Sequence, residues 1–320
     1  NVELDYKMSF LPELRAVVNL GLDASRSQIR ESYSNNALAT YRFDRNNPDI
    51  NTNFVFNPGK NYAEFQHKTN TTLDAYLVYA KELDGIIKRF DVQGGYSYQN
   101  FKNDGNAENY RYSDVTGLRE IVINPNNPNN RYYNVLNLQS FFGRTNIDVL
   151  NKYLFTFSLR ADASSLFRED KRWGNFPAAA FAWKMKEESF LKDATSVSTL
   201  KLRAGWGVTG QQDIGVSYPS IPLYLVSNIQ AQYQFGNSFY NTYRPQPYNS
   251  NLKWEETTTV NAGLDYGFLN NRIRGTVDLY QRTTKDLLLY TQNPSFFGFS
   301  NYDNYNIGTI ENKLPECHTN

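Results

Sequence analysis

Between residues 153 and 162 the chain alternates. Tyr153, Phe155, Phe157, Leu159 and Ala161 fall on one face, and Thr156, Ser158, Arg160 and Asp162 on the other. Successive strand side chains point to opposite faces, so this is a strand with one greasy and one wet side. A polar loop at 163–175, carrying Arg168, Glu169, Asp170, Lys171 and Arg172, leads to 176–184, where Ala179, Phe181 and Trp183 share a side. Nearly ten residues per leg, with aromatic residues towards the ends, is about the length that crosses a bilayer at a tilt. Strands in soluble cores run nearer five or six residues. The pair reads as one hairpin of an outer-membrane β-barrel.

The same period recurs along the chain. It is visible at 1–9, at 16–24, at 69–79 (Leu73, Ala75, Leu77 and Tyr79 outward) and at 90–98, where the alternation is cleanest. Further strands are expected at 139–149, 199–209, 257–266 and 272–282, with another starting at Asn306, and a helical turn is expected at 186–191. The connections at 11–13, 82–88, 151–152 and 268–271 are short; those at 25–66, 100–138, 210–255 and 285–305 are long and polar or aromatic. Such sorting places short periplasmic turns at one rim and long extracellular loops at the other. The expected fold is all-β, an antiparallel up-and-down transmembrane β-barrel. It is incomplete, with about ten or eleven strands of a larger barrel.

Composition excludes some alternatives. There are 33 basic and 32 acidic residues, which leaves no electrostatic footprint for nucleic acid. Mean hydropathy is −0.62, and no run of apolar residues is long enough for a membrane helix. Barrel strands escape that criterion because every second residue is polar. One cysteine, Cys317, gives no internal disulfide framework. Asn1-Val2-Glu3-Leu4-Asp5 has neither the basic start nor the apolar core of a signal peptide, so a mature or truncated chain is expected.

From Gln139 onward the residues resemble the SusC/RagA branch of TonB-dependent outer-membrane transporters. The resemblance rests on ordered blocks. Among them are Gln139-Ser140-Phe141-Phe142-Gly143-Arg144, Lys171-Arg172-Trp173-Gly174-Asn175-Phe176-Pro177, and Leu200-Lys201-Leu202-Arg203-Ala204-Gly205-Trp206-Gly207-Val208-Thr209-Gly210. Asn251-Leu252-Lys253-Trp254-Glu255 and Tyr280-Gln281-Arg282-Thr283-Thr284-Lys285-Asp286-Leu287-Leu288 continue it. After Asn312-Lys313 the chain departs from the family pattern, so residues 1–313 are read as a partial receptor barrel and 314–320 as an atypical, foreign or frame-shifted tail. The resemblance implies active import of an oligosaccharide or oligopeptide ligand. A SusD-like surface lipoprotein would close over the mouth, and the TonB complex would act through a plug domain that lies outside these residues. It also implies contact with outer-membrane lipid, no cofactor and no enzymatic activity. Half a barrel leaves two unpaired edges, each costly in hydrocarbon, so the chain alone is not expected to insert as a closed pore.

Motifs suggesting chemistry fail on their details. Gly205 to Gly210 fits G-x-G-x-x-G after a strand, but the residues that follow lack the helical period a pyrophosphate site needs; inward glycines leaving room for a plug explain it better. The stretch from Asp49 to Asn53 imitates an EF-hand start, with Phe54 where the loop needs Gly and Lys60 where it needs Glu. His67, His318 and Cys317 assemble neither a zinc set nor a nucleophilic relay. The inward polar set is Asp91, Arg144, Asp148, Arg160, Asp162, Lys201, Arg203, Asp265, Arg274, Asp278 and Arg282, expected to pair along a wet wall or to meet the plug.

Ligand contact is expected in the aromatic loops. One segment holds Tyr218, Tyr224, Tyr233, Phe235, Phe239, Tyr240, Tyr243, Tyr248 and Trp254; the next holds Phe296, Phe297, Phe299, Tyr302 and Tyr305. Flat rings stack on sugars and peptide side chains. The assigned substrate-binding residues are Tyr240, Tyr243, Tyr248, Trp254, Phe296, Phe297 and Tyr302, against the plainer reading that these rings pack the loops or anchor at the interface. The competing classes are a passive porin and a soluble carbohydrate-binding β-sandwich. The sandwich requires Phe155, Phe157, Trp183 and Trp206 to be buried between two sheets.

Overall fold

The computed structural model describes residues 1–33, 41–43, 54–56, 61–113, 115–124, 126–127, 129–215, 218–227, 231–245, 248–292 and 302–319. Its main sheet has eleven strands in path order: β1 (Val2–Lys7), β2 (Leu14–Glu31), β3 (Asn61–Glu82), β4 (Ile87–Tyr112), β5 (Arg131–Val149), β6 (Tyr153–Ser164), β7 (Trp173–Lys184), β8 (Val197–Gln211), β9 (Glu255–Phe268), β10 (Ile273–Lys285) and β11 (Thr309–Thr319). Each pairs antiparallel with its neighbour in that order, and a short strand, Arg119–Val122, adds to β4. This is the expected up-and-down meander. β1 and β11 are not paired with each other, so the sheet is an open arc.

Register carries the alternation from strand to strand. Leu4, Val18, Ala75, Tyr96, Phe141 and Ala161 form one row, and Phe157, Ala179, Trp206 and Val260 another. No second layer covers this face among the described residues: Phe157 is 50% exposed and Trp206 43%. Leaving such a band in water would forfeit roughly 25 cal/mol for every Å² of apolar surface. Its solvent is therefore hydrocarbon, and the sandwich reading is overturned. The opposite face carries Asp74, Asp91, Arg160, Arg203 and Asp265, and is wet.

Turn chemistry fixes the short rim. Leu150 and Asn151 sit at φ +56°, and Leu269, Asn270 and Asn271 at φ +53° to +60°, left-handed conformations that asparagine tolerates better than most residues. The turns also tie to one another: Leu269 N–H donates to Ser196 O, and Asn271 N–H to Ser198 Oγ.

Several expectations need correction. Segments 25–31, 61–66, 100–112 and 131–138 are strand rather than loop. Beyond the lipid band apolar and polar residues mix on both faces, so hydrophobic alternation disappears while the backbone ladder continues. The rim sorting is also looser than expected, because the connection 185–196 at the turn rim is longer than 165–172 at the loop rim. Within it the helical turn shrinks to a 3₁₀ turn, Met185–Glu187. The segment after β10 is not a plain loop; Leu288–Gln292 and Tyr302–Asn306 form a hairpin, and β11 begins at Thr309 rather than at Asn306.

Candidate functional site

The wet face is a chain of short polar contacts. On β8, Arg203 grips Asp265 of β9 with Nε at 3.1 and 3.0 Å and Nη2 at 2.9 Å, and Nη2 also reaches Asp278 Oδ1 of β10 at 2.9 Å. Thr276 Oγ1 donates to Asp265 (3.1 Å) and Lys201 Nζ lies 3.9 Å away. The cluster exists because Gly263 lies beneath it: a Cβ there would fall on Asp278 Oδ1 and the Arg203 guanidinium. Further round, Asn146 bridges Asp91 (2.6 Å) and Thr156 (2.8 Å), while Arg160 pairs with Asp162 (2.7 Å) and Ser140 (2.8 Å). The expected mutual pairing thus holds for Arg160, Asp162, Lys201, Arg203, Asp265 and Asp278, whereas Asp91 takes partners outside that set, Asn146 and Arg89 (3.6 Å). Asp148 Oδ1 is buried with no partner among the described residues.

At the loop rim lies an apolar cluster that the sequence reading missed. Phe167, Leu252, Leu166, Phe176 and Trp254 are all buried, with Phe167 at 1% and Leu252 at 0% exposure. The Trp254 ring centroid is 5.6 Å from Phe167 and 5.3 Å from Phe176, and its Nε1–H donates to Arg172 O at 2.7 Å. Gly174 and Gly210 leave the space: a Cβ on either would strike the Phe176 and Trp254 rings. Polar bonds lock a third loop to the same point. Lys253 Nζ meets Asp286 at 2.6 Å, Asn306 Nδ2 donates to Lys253 O and Asp286 O at 2.9 Å, and Leu288 N–H donates to Glu255 Oε2 at 2.9 Å. Asp303 is buried there, which pushes its carboxyl above the usual range despite the Asn304 N–H at 2.7 Å. The apolar pair Leu166-Phe167 inside a charged loop was the sequence signal for this cluster.

From the clamp rises an arm. Strands Tyr224–Val226 and Tyr243–Pro245 pair at its base, and Tyr233–Phe235 and Ser238–Tyr240 pair at its tip. Register sets Tyr233 opposite Tyr240, with Phe235 on the same face. Tyr240, Tyr243 and Tyr248 are all exposed, as are Tyr224, Tyr233, Phe235 and Phe239. The structure therefore divides the expected site. Tyr240, Tyr243 and Tyr248 face open space, whereas Trp254 is inside the clamp. Phe296, Phe297 and Phe299 lie outside the described residues, and Tyr302 is placed by its backbone opposite Gln292. The EF-hand-like stretch 49–53 also lies outside them. Gly205–Gly210 lies within β8, which runs on to Gln211 without a following helix.

The turn rim has its own anchor. Glu188 accepts from Tyr153 Oη (2.6 Å), Lys152 Nζ (3.0 Å) and Trp183 Nε1 (3.0 Å). These donors, Tyr153 foremost, hold its carboxyl down at about 2.

Residues 5–313 match the family model described as "TonB dependent receptor-like, beta-barrel". The chain is 42% identical to TonB-dependent receptor SusC of Bacteroides thetaiotaomicron across 100% of its own length and 30% of that protein's. It is 33% identical to TonB-dependent receptor P3 of Formosa agariphila, over 82% of this chain and 26% of that one. The fold is similar to the RagAB peptide transporter structure, with a TM-score of 0.69 at 23% identity over 95% of this chain and 31% of that one. The chain thus spans about a third or less of the relatives it matches.

Proposed function

The chain belongs to the TonB-dependent receptor β-barrel family of the outer membrane, and from that premise we propose that it forms part of the wall and mouth of an active importer of a bulky nutrient. The cargo is an oligosaccharide or an oligopeptide; the likeness to a structure named as a peptide transporter supports the second class. In this reading residues 1–313 are barrel, and 314–320 are a tail of different origin. A SusD-like surface lipoprotein closes the mouth, and the TonB complex pulls on a plug seated against the wet wall. The protein binds and passes its ligand without covalent chemistry.

One observation carries the proposal: an exposed aromatic arm next in sequence to a buried loop cluster, on a sheet whose other face is wet and ion-paired. Tyr240, Tyr243 and Tyr248 supply rings for stacking, Phe296, Phe297 and Tyr302 are proposed to contact the same ligand, and Trp254 acts through the buried cluster rather than by touching ligand. The test is uptake of an oligosaccharide and oligopeptide panel by cells carrying the intact protein. Dissipating the inner-membrane proton gradient should abolish uptake; uptake that persists identifies a passive porin instead. Replacing both Tyr240 and Tyr243 by alanine should weaken ligand binding by roughly tenfold, the scale of an aromatic hot spot. Unchanged affinity removes the arm from the site.

A further inference from the structure

The outer face of β2–β5 does not stop at the lipid band. Leu20, Leu73 and Tyr98 share the last outward row that is apolar on three strands. Arg26, His67, Asp104 and Tyr133 share a row six residues further on, which is roughly 14 Å higher at ordinary strand rise and barrel tilt. That exceeds the roughly 5–8 Å that a phospholipid headgroup layer adds to each side of the hydrocarbon.

At this height the wall holds an open groove of about 570 Å³. Register makes Asp104 and Asn106 of β4 its floor, Phe65 and His67 of β3 one side, and Arg131 and Tyr133 of β5 the other. Phe65 and Tyr133 are both exposed. Lys102 is occupied, with Nζ 3.2 Å from Asp104 and 5.0 Å from the Tyr133 ring centre. Arg26 and Arg131 make no ion pair among the described residues. Two flat rings, an Asp-Asn floor and the free Arg131 guanidinium match a sugar that carries phosphate, with the unpaired Arg26 one strand beyond the lining in the same row. Rings stack on the pyranose, Asn106 Oδ1, unpartnered among the described residues, takes a hydroxyl, and arginine holds phosphate in bidentate geometry, while Asp104, 3.2 Å from Lys102 Nζ and 3.6 Å from His67 Nδ1, is already engaged. The groove opens on the outer face of the sheet, opposite the wet wall where Lys68 of β3 lies.

We propose that this groove binds the phosphorylated saccharide headgroup of an outer-leaflet glycolipid. Such a headgroup alone among bilayer lipids is tall enough to reach it, and it carries the complementary charge. The site is separate from cargo uptake and stands whether or not the transport reading does.

The intact protein, purified from outer membranes in detergent, is titrated with lipopolysaccharide, with phosphatase-treated lipopolysaccharide and with phosphatidylglycerol. Lipopolysaccharide should bind at least about tenfold more tightly than phosphatidylglycerol. Dephosphorylation, Arg131→Glu and Tyr133→Ala should each cost roughly tenfold, while Tyr133→Phe and the inward Lys68→Gln keep the wild-type affinity. Heat-modifiable migration on gels verifies that each variant is folded. Equal affinity for phosphatidylglycerol, or unchanged affinity in both Arg131→Glu and Tyr133→Ala, overturns the proposal. So does a shift from dimer to monomer in those variants without loss of lipid, which would assign the groove to a second copy of the protein.

Discussion

Trp254 of the clamp and the rings of the arm are aromatic residues of one stretch of chain, yet they have opposite fates. Trp254 is 7% exposed and bonded through its indole N–H, while Tyr243, eleven residues earlier, is 65% exposed. The clamp is buried because three loops converge on it and glycines at 174 and 210 leave room for the rings. The arm is exposed because the strands within each of its two pairs satisfy much of their backbone against each other, with Val226 N–H donating to Asn126 Oδ1 (2.7 Å) at the base. Aromatic content alone thus marks neither a binding surface nor a core. What the backbone brings alongside decides.

That contrast can be broken at several points. Trp254→Ala should have the largest effect, since emptying a buried aromatic site costs about 3–5 kcal/mol. Proteolysis of loops 165–172 and 248–254 in the folded protein should rise steeply, and resistance equal to wild type would deny the clamp its role. Arg203→Ala sets two carboxylates, Asp265 and Asp278, side by side on a half-exposed wall; about 1–2 kcal/mol lost in denaturant unfolding is expected, tempered by solvent screening. Gly263→Ala should act in the same direction by displacing the guanidinium.

Smaller effects sharpen the picture. Glu188 has a folded-state carboxyl depressed to about 2, so its contribution is complete above the ordinary value of 4.5 and fades as pH falls towards 2. Amide exchange across 185–196 should therefore accelerate in that window in the wild type, and should already be fast at neutral pH in Glu188→Gln. Tyr240→Ala and Tyr243→Ala should change stability least, within about 0.5 kcal/mol, because both side chains are largely exposed. A loss comparable with that of Trp254→Ala would mean that arm and clamp are one packed unit.

Legibility in the sequence followed the lipid. Where one face meets hydrocarbon and the other water, alternation is imposed residue by residue. The segments around Phe157, Trp206 and Leu279 were therefore readable as strands with their faces assigned. Past the band, at 100–112 and 131–138, apolar residues no longer keep to one face and the signal vanishes, although the ladder continues. The charged wall was legible as a face but not as pairs. That Arg203 reaches both Asp265 and Asp278 depends on a three-strand register and on a missing Cβ at Gly263.

The chain's order of residues by itself determined an all-β meander, its lipid and water faces, and its kinship with TonB-dependent receptors, because periodicity and motif are local properties. Only the tertiary structure decided which aromatic rings are buried, how far β3–β5 rise above the membrane, and that Phe65, Arg131 and Tyr133 share a groove. Those outcomes depend on which distant strand lies alongside, and backbone pairing over long sequence separations leaves no local trace.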